Sequence, residues 1–152
     1  MIKKSLFVFV SFFVILSLLP IISCATMGKH ETETLKGNFV NIRQKIQKDR
    51  DYIDVLMRKR VGNTGYYYII SLDGIITAHP QTFLKGADYS KFSFIQEILN
   101  NRNGCISYII AEKEFTVIHE PLNAEEILCL AIESDELTDR GTMCRRSSFR
   151  VN

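Results

Sequence analysis

The stretch Gly62-Asn63-Thr64-Gly65-Tyr66-Tyr67-Tyr68-Ile69-Ile70-Ser71-Leu72-Asp73-Gly74-Ile75-Ile76-Thr77-Ala78-His79-Pro80 decides the fold. Four turn-forming residues open it, and the aromatic and β-branched run 66–72 that follows is strand chemistry. Alternation puts Tyr66, Tyr68, Ile70 and Leu72 on one face and Tyr67, Ile69 and Ser71 on the other. Both faces are partly apolar, which suits a central strand covered from two sides. Asp73-Gly74 between this run and Ile75-Ile76-Thr77-Ala78-His79 predicts a hairpin with a type I′ turn. Pro80 ends the second strand because it removes a backbone donor.

Upstream, Leu35, Phe39, Ile42, Ile46, Ile53 and Leu56 recur mostly at three- and four-residue steps with charges between them. That spacing predicts one amphipathic helix from about Thr34 to Arg60, roughly 35–40 Å long, broken by the Gly62–Gly65 cluster. Downstream, a turn-rich loop runs from Gln81 to Ser90. Ser93 and Gln96 then offer a capping box for a short helix that Asn103-Gly104 ends. Strands are predicted over 105–111 and 115–120 around Glu112-Lys113-Glu114, and over 127–133 after a turn at 121–126. The sum is an α+β domain: a five-stranded antiparallel sheet, a long N-terminal helix, and a short helix between strands 2 and 3. After Asp135 the pattern fades, and residues 138–152 read as an unstructured tail.

The N-terminus is of another kind. Lys3 and Lys4 precede an almost wholly apolar run from Leu6 to Ile22, interrupted by Ser11, Ser17 and Pro20. A charged start, an apolar core and a small residue at its end constitute an export signal or signal anchor over 1–23. Ile21-Ile22-Ser23-Cys24 resembles the lipobox of bacterial lipoproteins, which implies lipidation of Cys24. The polar residues 24–34 then form a linker between membrane and domain. The expected location is extracytoplasmic and membrane-anchored, as a periplasmic or cell-surface lipoprotein.

Charge excludes some functions. The chain has 19 basic and 17 acidic residues, and Lys3 and Lys4 account for the excess. The domain is balanced and has no basic stripe interleaved with aromatics, so nucleic acid is not an expected partner. Three cysteines remain after Cys24, and no two have metal-finger or redox spacing. Cys105 and Cys129 lie in strand runs and read as small buried hydrophobes. No metal or cofactor is expected. A nucleophile–base pair would have to join Cys105 or Cys129 to His119, and no GxSxG or HExxH occurs, so no catalytic residues are assigned.

The ordered set Gly62-x-x-Gly65-Tyr66, an aromatic strand, Asp73-Gly74, His79-Pro80, Gly86-x-Asp88 and Asn103-Gly104 before a tyrosine-bearing strand resembles the Cache domains. These are extracytoplasmic PAS-like sensor modules, and the likeness spans about residues 35–137. It implies a small-molecule pocket between sheet, short helix and loops. The segments that line such a pocket supply Tyr66, Tyr68, His79, Asp88, Tyr89, Tyr108 and His119 as ligand-binding candidates. Arg58, at the end of the long helix with Arg60, can pair a carboxylate bidentately. The Tyr/Arg/Trp signature of the amino-acid-binding group is absent, and the chain has no tryptophan. A small polar metabolite or carboxylate is therefore the expected ligand, sensed through a partner receptor, with a homodimer through the long helix as a further expectation. Two rival readings are a ligand-free PAS-like adaptor that dimerises, and a truncated chemoreceptor input domain.

Overall fold

The computed structural model describes residues 30–151. The leader, Cys24 and most of the linker lie outside them. Two helices come first, α1 (Thr32–Lys48) and α2 (Tyr52–Arg58). Then follow β1 (Arg60–Val61), β2 (Gly65–Ser71), β3 (Ile76–Ala78), a 3-10 turn (Thr82–Leu84) and α3 (Ser93–Asn101). The strands β4 (Gly104–Ile110), β5 (Lys113–Pro121) and β6 (Glu126–Glu133), a 3-10 turn (Ser134–Glu136) and β7 (Arg145–Val151) complete the order. The linker is shorter than its polar composition implies, because His30 bridges to Leu137 and the helix already starts at Thr32.

The expected long helix is two. Leu35, Phe39, Ile42 and Ile46 are buried along α1, but the next apolar position of the period falls on Asp49 and Arg50. Asp49 Oδ1 accepts a hydrogen bond from the Asp51 amide at 3.0 Å, a side-chain turn that competes with the helical ladder. Arg50 turns aside to pair with Glu126 at 2.6 Å. The chain restarts as α2, which buries Leu56 on the same core.

The sheet has seven strands rather than five, in the order β1-β2-β6-β5-β4-β7, with β3 also on β2. β2 pairs antiparallel with β6 from Tyr66↔Ala131 to Ser71↔Glu126. One face packs Tyr67, Ile69, Ile118, Leu128, Leu130 and Ile132 against α1 and α2. The other packs Tyr68, Ile70, Ile106, Tyr108, Val117 and Cys129 against Phe94, Ile95 and Ile98 of α3. The two-sided reading of the tyrosine strand is thus realised, with Tyr67 toward the helices and Tyr66 and Tyr68 toward α3.

Two local expectations fail for physical reasons. At the β2–β3 turn Gly74 alone has positive φ, because the loop is wider than two residues and the Gly74 amide closes on the Ser71 carbonyl at 3.0 Å. The type I′ position is instead Ala111-Glu112 between β4 and β5, where φ is 48° and 64°. α3 has no capping box, because its N-cap is Phe92 and the Gln96 side chain bonds back to the Ser90 carbonyl.

The tail is structured too. β7 runs parallel to β4 from Ile106↔Arg145 to Ile110↔Val151. It is tied there by a Cys105–Cys144 disulfide, and Cys129 is the free, buried cysteine among the described residues. An edge strand rich in arginine and serine keeps one side in water, so its sequence lacks an apolar period.

Candidate ligand-binding site

The face under α3 gathers the aromatic candidates. Tyr66 and Tyr68 project from β2 with rings 6.2 Å apart, and the His79 ring lies 5.2 Å from Tyr66 and 6.0 Å from Tyr68. Tyr108 of β4 stacks on Phe94 at 4.6 Å, and Phe149 of β7 closes on Phe94 at 4.9 Å. Tyr89 meets Phe92 edge-on at 5.0 Å. Burial raises the Tyr66, Tyr68 and Tyr108 hydroxyls above their ordinary value, reinforced by their mutual proximity and by Tyr89 or Cys129. These phenols stay protonated, so this face offers neutral hydrogen-bonding groups and no charge.

His79 is fixed in one tautomer. Its Nδ1 accepts the Gln81 amide at 3.0 Å, which leaves the proton on Nε2. Burial lowers its pKa, against the smaller opposing effect of the Gln81 bond, so the ring is a neutral donor. It also borders a cleft of about 480 Å³ between α2 and β3 on the helix side. Arg58, Lys85, Thr77, Asp54 and Glu126 line that cleft as well. Glu126 is spoken for, bonded to Arg50, Asn123 Nδ2 and Thr77 Oγ1. Burial raises the Glu126 carboxyl, but its Arg50 and Asn123 bonds outweigh that and hold it below the usual range.

The structure therefore splits the eight candidates. Tyr66, Tyr68, Tyr89, Tyr108 and His79 lie in one aromatic assembly, while Arg58 joins His79 only across the cleft. Asp88 stands apart: it bridges to Ile75, and its carboxylate accepts the Ser90 amide at 2.9 Å in its own loop. Ser90 holds that carboxyl below its ordinary value. His119, on β5, pairs with Gly104 and Cys129, so the strand β6 lies between it and Tyr68. Lys85, Thr77 and Thr82 of the cleft were not legible as site residues, since a loop lysine and single threonines on a strand and a 3-10 turn carry no spacing signal.

The thiol and imidazole that sequence could pair do neighbour each other at Cys129 and His119. Burial pushes the Cys129 thiol far up, against a smaller lowering by Tyr68, and Cys105 is consumed in its disulfide. No cluster of three or more His, Cys, Asp or Glu groups that could hold a metal occurs among the described residues. No described helix is long and apolar enough to cross a membrane.

A sheet with N-terminal helices on one face, and a loop-and-helix connection over aromatic residues on the other, defines a PAS-like α+β domain. Solved structures share that fold. A methyl-accepting chemotaxis protein from Vibrio parahaemolyticus superposes with a TM-score of 0.55 at 15% identity, over 66% of this chain and 86% of that one. A Cache chemosensory domain solved for its carboxylic acid recognition gives 0.51 at 12% identity over the same shares. The ligand-binding domain of Mlp24 with asparagine gives 0.45 at 18% identity, and this chain spans 35% of its length. No protein-family model matches the sequence, and no curated protein does.

Proposed function

We propose that this chain is a non-enzymatic, extracytoplasmic sensory domain that binds a small carboxylate beside His79 and acts through a partner receptor. The leader over 1–23 and a lipid on Cys24 hold it at the membrane. The observation that carries the reading is the position of His79: a neutral Nε2–H donor between the tyrosine face and a cleft of ligand size that holds Arg58 and Lys85. A carboxylate satisfies a donor and a guanidinium together, whereas the tyrosines offer only neutral contacts. The likeness to a domain solved for carboxylic acid recognition supports the same ligand class.

The test is thermal unfolding of the full chain in detergent micelles against a panel of small carboxylates. A ligand bound only by the native state raises Tm with concentration. Arg58→Ala is expected to weaken the response about tenfold, the worth of one charge-assisted bond. A flat Tm across the panel sinks the reading. For the anchor, Cys24→Ala is expected to abolish acyl-lipid labelling; an unlabelled wild type that stays in the membrane favours an uncleaved signal anchor.

A ligand-free adaptor is the second reading, favoured by two observations. Tyr68, Tyr108 and Phe94 pack the tyrosine face with the chain's own rings, and Val40 on α1 and Val55 on α2 are exposed at 43% and 58%. Self-association in the micromolar range or tighter, lost in Val55→Asp and unaccompanied by any ligand response, would establish it.

A further inference from the structure

His119 is 1% exposed, yet neither of its ring nitrogens has a hydrogen-bond partner. Buried polar groups are nearly always paired, so an orphaned imidazole calls for an explanation. The Val117 backbone lies close enough to favour the protonated ring a little, without hydrogen-bond geometry. Gly104, opposite on β4, sets no side chain against the ring edge: a Cβ there would sit 3.8 Å from Nε2 and 3.9 Å from Cε1. Beside that edge lies a cleft of about 280 Å³ lined also by Lys36, Asn101, Asn103, Met143 and Arg145.

The lining carries two cations, two carboxamides and no carboxylate. Lys36 is engaged by Glu33 at 2.7 Å, and Asn101 Nδ2 donates to the Glu97 carbonyl at 2.9 Å. Arg145 has no ion pair among the described residues, and the neighbouring Cys144 is anchored to Cys105, another lining residue. This cleft shares no residue with the one beside His79.

We infer that it is a second ligand site, one that takes a compact oxyanion on the His119 ring N–H, the Asn103 amide and the Arg145 guanidinium. Burial holds the His119 pKa down at about 4, so at neutral pH the ring is uncharged and supplies one N–H, while Arg145 supplies the charge. The inference is independent of the ligand proposed beside His79.

Full chain labelled with ¹⁵N-histidine, in detergent micelles, is titrated with inorganic phosphate in one arm and succinate in another, against potassium chloride of equal ionic strength. The His119 ring signal is expected to shift saturably in at least one anion arm and not with chloride. Arg145 is exposed, so Arg145→Ala should fold and weaken that shift about tenfold. Arg58→Ala should leave it unchanged. No saturable shift with either anion overturns the site. A response indifferent to Arg145→Ala, or one lost in Arg58→Ala, overturns it equally.

Discussion

His119 is where one side chain sets a property of the whole domain. Its folded pKa of about 4 lies below the ordinary value of 6.5, so the unfolded chain binds the extra proton first. The associated stability is complete above about pH 6.5 and is lost as pH falls through the window down to 4. The shift corresponds to about 3 kcal/mol across that window. His119→Leu is therefore expected to flatten the Tm–pH curve between pH 6.5 and 4.5, and a slope as steep as wild type counts against the burial argument. Removing an unpaired buried polar group should cost little at neutral pH. At this scale the sequence was partly legible. Alternation in 66–72 placed Tyr66 and Tyr68 together, because period two survives any detail of packing. Asp88 accepts the Ser90 amide in its own loop, a turn role that aspartate takes as readily as it takes a ligand.

Among the elements, those with their own apolar period were legible and those held by partners were not. α1 and the strands from 66 to 133 follow from repeating buried positions such as Leu35, Phe39 and Ile42. The break at Asp49 was written as a missed apolar step, and only the Asp49–Asp51 turn shows that the gap ends the helix. β7 has no period of its own. It depends on the Cys105–Cys144 bond and on Phe149, which meets Phe92, Phe94 and Tyr108. The Cys105→Ala/Cys144→Ala variant is expected to lose about 2–4 kcal/mol, with hydrogen exchange of 145–151 rising first. Uniform loss of protection would mean that the tail is no separate unit. The tight turn allows the opposite experiment. Ala111 and Glu112 both hold positive φ, at a cost of about 1–2 kcal/mol each for ordinary residues. Replacing the pair with Asn-Gly should raise stability by about 1–2 kcal/mol in denaturant unfolding, and a lower midpoint would show that the turn is relaxed as it stands.

The whole described fold is closed where its first residues meet the segment after β6. The His30 amide donates to the Glu136 carbonyl at 3.1 Å, and the Thr138 amide returns a bond to the His30 carbonyl at 2.9 Å. Thr32 Oγ1 donates to Asp139 at 2.9 Å. The Glu136 carboxylate extends the clasp to the β1–β2 turn, taking the Asn63 amide at 2.7 Å and the Thr64 amide at 2.9 Å. The start of α1 and the turn before the tyrosine strand thus both hold the segment after β6. The first does so at that segment's backbone and Asp139, the second at the Glu136 carboxylate, so displacement at any of them strains the others. Such a junction joins the first described residues to the strand that bears Tyr66 and Tyr68. Burial raises the Glu136 carboxyl, but the Thr64 and Asn63 bonds outweigh it and hold it below the ordinary value. The sign for a depressed carboxyl is fixed: its contribution is full above the unfolded value of about 4.5 and is lost as pH falls through the lower folded value. Glu136→Gln keeps the shape and removes the charge. Against wild type it should cost about 1 kcal/mol at pH 7, reduced from a buried pair because the group is partly solvated. The two Tm–pH curves should converge as pH falls and the wild-type carboxyl takes up its proton. A difference that persists undiminished down to the acid limit of folding would mean that shape, and not charge, holds the clasp.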